Sequence, residues 1–278
     1  MIMKVDFKIV TALVLSLFLV SCKMAVREAG GEALERTVKE LAQTGGKKTL
    51  KEISTSNKLL KSLFSGLEST VSKDFAESIT VSGIGTDVLE LVSREFPASR
   101  MILNIKNRTI ECSAGSLKNS GPMNEFLNTL LPNMTYKVDG CFTYVTDKYG
   151  RVVKALGDRS RAYKVIERNT QRNSDIQKRV VTGLDGRAGV HDAGHLFSNT
   201  SGGPNELINQ VPMLKNVNRN GRWRELERLE EEAVKAGKQV VSERQLLYKG
   251  SSKCPYAIKF TYIIDGEKVS RVVKNIDA

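Results

Sequence analysis

The chain has 278 residues, 40% of them hydrophobic and 27% charged, which excludes wholesale disorder and allows one core or two modest ones without metal or disulfide support. Its 43 Lys and Arg outnumber its 31 Asp and Glu for a net charge of +12; removing Lys4, Lys8 and Asp6 with a leader takes away two positive charges and one negative, leaving +11. That excess suits a polyanionic partner, although basic charge alone does not establish one.

At the N-terminus a short charged start, Met1 to Lys8, runs into the apolar stretch Ile9 to Val20 and then Ser21-Cys22. The stretch is short for a membrane span and follows the pattern of a signal peptide. Leu19-Val20-Ser21-Cys22 resembles a bacterial lipobox. That resemblance implies a lipoprotein signal peptide over 1–22, acylation (palmitate) at Cys22, and export to the bacterial cell envelope with a lipid anchor in the membrane. Whether the protein faces the periplasm or the cell surface stays open. Export permits disulfides. Of the three other cysteines, Cys112 and Cys141 are the expected pair, with Cys254 a buried small residue. No CxxC or Cys/His cluster suggests zinc.

Residues 23–100 read as a helical, membrane-proximal region. Glu28 to Gln43 is rich in Ala, Leu, Glu and Arg. Leu50 to Leu67 sets Leu50, Ile53, Leu59, Leu60, Leu63 and Leu67 close to a helical stripe, and Gly45-Gly46 separates the two. A further short helix is expected over Asp87 to Phe96. The whole region reads as a spacer and partner surface.

From residue 101 to 278 the pattern changes. Met101 to Ile105 and Arg108 to Cys112 read as short strands, and a Gly121-Pro122 connection follows. Tyr136 to Val138, Cys141 to Thr146 and Arg151 to Ala155 alternate apolar and polar residues, with Asp147-Lys148-Tyr149-Gly150 as a hairpin turn. Trp223 to Ala236 predicts a helix with Trp223, Leu226, Leu229 and Val234 on its apolar side, ended by Gly237. Ala257 to Ile264 and Lys268 to Val273 predict a final hairpin around Asp265-Gly266.

The run Asp192-Ala193-Gly194-His195-Leu196 is followed by Ser201-Gly202-Gly203-Pro204-Asn205-Glu206-Leu207-Ile208-Asn209-Gln210-Val211-Pro212 and then by Asn218-Arg219-Asn220-Gly221-Arg222-Trp223-Arg224-Glu225-Leu226-Glu227. As an ordered set these resemble the DNA/RNA non-specific endonucleases, and Thr143 to Val152 is similar to the hairpin that opens the domain in the branch found in bacterial toxins and secreted nucleases. The resemblance covers about residues 136–276. It implies an α+β fold: a ββα-metal (His-Me finger) nuclease domain with a central antiparallel sheet, here preceded by the helical N-terminal region.

Phosphodiester hydrolysis needs a base to activate water and charge stabilisation for the pentavalent transition state and departing oxygen. His195 can be that base, with a hydrogen bond from its other ring nitrogen, in this family to backbone, fixing the tautomer. Gly194 is expected to let the chain approach a phosphate. The resemblance implies a Mg²⁺ or Mn²⁺ cofactor held by the amide of Asn218. The usual spacing to the aromatic at Trp223 is one residue shorter, so Asn220 competes for that role. Glu227 corresponds to the acidic residue that orients water around the metal, with a solvated helix face as the bland alternative. Asn209 corresponds to a site-supporting amide. Ala193 stands where many members carry a phosphate-binding arginine, so Arg179, Arg187 and Arg219 are candidates for that contact. Arg168 to Arg172 reads either as a substrate-facing segment or as a basic loop. His191 and His195 also match the four-residue spacing of a zinc-protease helix, but Gly189 and Gly194 make a poor helix and there is no third histidine.

The function expected is a metal-dependent hydrolase that cuts DNA and RNA with little sequence preference, because its contacts would go to phosphate. The alternative is a catalytically decayed surface lipoprotein that binds nucleic acid or a partner protein. A secreted toxin with an immunity protein, a scavenger of extracellular DNA and a defence enzyme all fit.

Overall fold

The structure, a computed structural model, describes residues 36–56, 60, 61, 64, 72–85, 87–115, 122–165 and 174–276. The leader with Cys22 and the segment Arg168 to Arg172 lie outside the described residues. Residues 36–44 are helical. They are followed by β1 (Lys48–Thr49), α1 (Leu50–Ser56) and α2 (Lys73–Ser78). Leu50, Ile53, Leu60 and Phe64 are buried at helical spacing. Ser72 caps α2 by accepting the Phe75 N–H at 3.2 Å.

Beyond α2 the N-terminal region is not helical. Two strands follow, β2 (Ile79–Gly83) and β3 (Val88–Ser93), and β3 occupies the place where a short helix over Asp87 to Phe96 was expected. The reason is local: from Val88 to Ser93 half-buried and buried residues alternate strictly. Leu89 and Leu91 therefore share one face of a strand. Main-chain pairing to β2 on one side and to β4 (Arg100–Asn104) on the other completes the assignment.

Next come β5 (Thr109–Cys112), β6 (Thr135–Val138), β7 (Phe142–Thr146), β8 (Val152–Asp158), α3 (Arg159–Val165) and α4 (Ser174–Gly183). After them stand β9 (His191–His195), β10 (Gln210–Leu214), α5 (Lys215–Arg219), α6 (Arg222–Lys235), β11 (Val240–Leu247), β12 (Ala257–Ile264) and β13 (Glu267–Lys274). The described strands form an 11-stranded sheet in the order β1-β2-β3-β4-β5-β6-β7-β8-β11-β12-β13, and β9 and β10 form a separate pair. Within the large sheet β5 and β6 run parallel, while the other neighbours run antiparallel.

Both expected hairpin turns form. Asp147 Oδ1 accepts the N–H groups of Tyr149 and Arg151 at 2.9 and 3.1 Å, which closes the β7–β8 turn. Between β12 and β13, Asp265 and Gly266 both take positive φ, 49° and 90°, as a type I′ turn requires.

One apolar core joins the N-terminal strands to the rest, from Val38, Leu89 and Leu103 through Tyr144 and Phe197 to Trp223 and Phe260. The β9–β10 pair and α6 pack on the large sheet through aromatic contacts, Phe197 on Phe142 at 5.2 Å and Trp223 edge-on to Phe260 at 5.1 Å. The expected Cys112–Cys141 disulfide is not formed; both are free thiols, as is Cys254. Cys112 ends β5 opposite Val138 of β6, whereas Cys141 precedes β7, so β6 stands between them. No helix among the described residues is long and apolar enough to cross a membrane.

Candidate active site

The site is built on the β9–β10 pair and the two helices that follow it. The strands run antiparallel with His195 opposite Gln210 and Asp192 opposite Met213. Trp223, fully buried at the start of α6, donates its indole N–H to the His195 carbonyl at 3.2 Å, locking helix to strand end. Gly194 is needed for packing: a Cβ there would lie 2.8 Å from Met213 Cβ and 2.9 Å from its Cε.

His195 Nε2 lies 3.3 Å from the Oδ1 of Asn205. An amide oxygen only accepts, so in this contact the ring nitrogen is the donor. Asn205 is buried and also accepts from Asn199 Nδ2 at 3.0 Å. Asn205 belongs to a loop shaped by Asn209, which is fully buried. Asn209 donates to the carbonyls of Phe197 and Pro204 at 2.7 and 2.8 Å. It accepts from the Tyr144 hydroxyl and the Phe197 N–H, both at 3.0 Å. Asn209 lies behind the site and positions its loop.

Asn218 sits on α5 against β9, its Nδ2 donating to Asp192 Oδ2 at 3.4 Å. That orientation keeps its Oδ1 as a donor of lone pairs. Arg219 forks onto the same carboxylate at 2.7 and 2.8 Å, and this hydrogen bonding holds Asp192 below the usual carboxylate range. Asn220 is exposed beyond the end of α5.

Glu227 is not on a solvated face; it is 8% exposed. Burial pushes its carboxyl up to about 7 against the opposing pull of Arg224, whose Nη1 stands 3.3 Å from Oε2. One turn further, the fully buried Arg244 donates from Nη2 to Glu230 Oε2 at 2.7 Å and from Nε to the Leu196 carbonyl at 3.0 Å. Arg159 lies 3.9 Å from the same Glu230 oxygen and donates to Ser201 Oγ at 2.7 Å. Glu230 thereby ties down the chain on both sides of the turn that follows His195. The sequence reading missed Arg159, Glu230 and Arg244. A signal existed, since Glu227 and Glu230 fall on the same helical stripe as Trp223, Leu226 and Val234.

The three candidate arginines are separated. Arg219 is beside Asn218. Arg187 precedes β9, where its N–H donates to His191 Nδ1 at 3.0 Å. Arg179 lies on α4, 3.3 Å from Glu125 and donating to the Asn128 carbonyl at 3.1 Å. His191 and His195 lie on a strand, so no zinc-protease helix exists; His191 Nε2 instead lies 3.9 Å from Cys254 Sγ.

Residues 132–266 match the family model described as DNA/RNA non-specific endonuclease. These residues belong to that family. The endonuclease match runs from just before β6 to the β12–β13 turn and contains every residue of the site. The Type VII secretion system protein EssD of Staphylococcus aureus, in strains USA300 and NCTC 8325, is 30% identical over 151 residues, 52% of this chain and 24% of that protein. Its counterpart in strain Newman is 30% identical over 151 residues, covering 23% of that protein. The chain therefore spans about a quarter of the length of these curated relatives. The structure of Sda1 nuclease with bound zinc ion is similar at 17% identity and a TM-score of 0.37, over 48% of this chain and 75% of that one.

Proposed function

We propose that this protein is a divalent-metal-dependent endonuclease that hydrolyses DNA and RNA without sequence preference. Its catalytic unit is about residues 136–276, in a ββα-metal arrangement formed by β9, β10 and α5. The observation that carries the reading is that one strand presents both halves of the chemistry: β9 ends in His195 with its tautomer set by Asn205, and its Asp192 orients Asn218.

Among the described residues no group of three or more His, Cys, Asp or Glu is placed to hold a metal. A single amide oxygen from Asn218, whose Nδ2 is held by an Asp192 already paired with Arg219, instead fits a hard cation that keeps most of its waters, as Mg²⁺ or Mn²⁺ does. Such an ion, when bound, neutralises charge on the phosphate and the departing 3′-oxygen. His195 Nδ1 takes the proton of the attacking water, which forms the new P–O bond as the bond to the 3′-oxygen breaks. Asn205 holds the imidazole in register, and Glu227, uncharged for part of the time near neutrality, orients water and can return a proton. Phosphate contacts fall to exposed arginines such as Arg219 in place of the missing side chain at Ala193. An exported, lipid-anchored location through Cys22 belongs to this proposal, as does a neutralising immunity protein for a toxin role.

Plasmid nicking by the full chain tests it. Mg²⁺ should support cleavage, and EDTA or His195→Ala should abolish it. A folded protein with no His195-dependent cleavage would leave only the decayed nucleic-acid binder. Asn218→Ala should lose activity while Asn220→Ala keeps it; the reverse result would move the metal ligand to Asn220.

A further inference from the structure

Beside the catalytic unit lies a cavity of about 470 Å³, within the roughly 300–1,000 Å³ typical of small-molecule sites. The β7–β8 turn, α4, β10, Tyr248 and Lys253 line it. Its wall is pre-organised. The Arg151 guanidinium is clamped by Asp147 at 2.6 and 2.8 Å and by the carbonyls of Gly250 and Ser252 at 2.8 and 2.6 Å. It is stacked between Tyr149 and Tyr248, with its Cζ 4.7 and 4.5 Å from the two ring centroids. Tyr149 is nonetheless 45% exposed, so part of its ring lies open among the residues that line the cavity.

The charges around that face are unequal in kind. Arg151 is neutralised by Asp147, and Arg179 is paired with Glu125. Lys148 and Lys253 enter no ion pair among the described residues, and the Lys148 ammonium lies 5.0 Å from the Tyr149 ring centroid. A half-exposed ring with one unpaired ammonium over it and a second lining the same cavity matches a flat aromatic ligand carrying phosphate, whose base would take the place of the Lys148 ammonium on the ring. The cavity is also coupled to the site. Gln210 lines it, stands opposite His195 across the strand pair, and donates its side-chain amide to the Asn205 carbonyl.

We propose that this cavity binds one unpaired nucleotide of the substrate, its base on Tyr149 and its phosphates at Lys148 and Lys253, which gives the enzyme a preference for single-stranded segments. This rests on the endonuclease reading and names its substrate class. A base already paired in a duplex cannot offer its face to Tyr149, whereas an unpaired base of any identity can, so the preference is for strandedness and not for sequence.

The test uses the full chain, with binding and cleavage read separately. Fluorescence anisotropy in EDTA follows a labelled oligothymidylate and a blunt duplex, and steady-state kinetics in Mg²⁺ follow cleavage of both. Tyr149→Ala should weaken binding of the single strand about tenfold and raise its KM correspondingly, with kcat unchanged and the duplex unaffected. Tyr149→Phe, which keeps the ring, should behave as wild type. Lys148→Ala and Lys253→Ala should each lower the salt dependence of single-strand binding by roughly 0.7 in log–log slope. Unchanged single-strand binding in Tyr149→Ala, or an equal loss on the duplex, would overturn the proposal. If binding responds as expected but no His195-dependent cleavage exists, the endonuclease reading falls and the nucleotide site stands. Cleavage with unaltered binding is the opposite outcome, and it removes the site alone.

Discussion

Two side chains define what the site can do, and each makes a measurable statement. Glu227 is a carboxyl buried among Trp223, Leu226 and Arg244, and desolvation raises it from an ordinary 4.5 to about 7. The folded state therefore holds this proton more tightly than the unfolded chain does. Stability from this group is fully present below about pH 4.5 and is lost as pH rises through 7, above which the loss is constant. The wild type should thus be less stable at pH 8 than at pH 5 by a few kcal/mol relative to Glu227→Gln, whose neutral amide cannot ionise. Denaturant unfolding of both proteins across that range checks this, and parallel profiles would refute it. Asn205 acts differently. In the proposed mechanism it orients the imidazole of His195, whose Nε2 lies 3.3 Å from its Oδ1. Asn205→Ala should leave the fold intact and lower kcat about tenfold or more, because loss of one oriented hydrogen bond is worth roughly 1–2 kcal/mol. A variant that raised KM alone would show that Asn205 binds substrate and does not orient the base.

At the scale of elements, the β9–β10 pair is closely packed because Gly194 leaves room for Met213. Gly194→Ala should destabilise by about 1–3 kcal/mol through overpacking. Met213→Ala alone opens a cavity at a cost of roughly 2–5 kcal/mol. Combined, the two should be less destabilising than their sum, since Met213→Ala removes the Sδ and Cε that crowd the new methyl while the Cβ contact at 2.8 Å remains; thermal unfolding of the four proteins gives the coupling, and strict additivity would contradict the Cε contact. This strand pair also shows how much could be read from sequence. The β7–β8 and β12–β13 hairpins were legible because alternation and turn residues are local signals, whereas His195, Asn218 and Glu227 stood out by their order along the chain and the roles given to them belong to the proposal. The strand β3 was not, since Val88, Leu89, Leu91 and Val92 satisfy a short helical stripe as well as a strand, and only pairing with β2 and β4 decides between them. Asn205 was visible as a residue but not as a partner. Its role depends on the loop returning to His195, a contact fixed by Asn209 and Tyr144, the latter some 65 residues away in the chain.

Across the whole molecule, the N-terminal strands and the catalytic unit share one sheet and one core, so they are expected to fold as one. The decisive link is Glu206, fully buried in the loop that carries Asn205. Its Oε1 accepts the N–H groups of Gly115 at 2.7 Å and Asn124 at 3.1 Å. Asn124 in turn donates to the carbonyls of Arg100 and Ser113 at 3.1 and 2.8 Å. A chain of hydrogen bonds thus runs from β4 to the residue that orients His195. Glu206→Ala would strand two buried N–H donors, each worth about 1–3 kcal/mol when left unpaired. It should lower global stability by roughly 2–5 kcal/mol and reduce kcat, with full-length protein still showing a single unfolding transition. A chain beginning at residue 101 should fare worse. It would strip β3 from β4, expose Met101 and Leu103, which pack in the shared core with Leu89 and Leu91, and leave β4 as an open apolar edge. Such a fragment should aggregate or bind hydrophobic dye and show little nuclease activity. A soluble, cooperative and fully active fragment would show instead that the first 100 residues are a separable spacer.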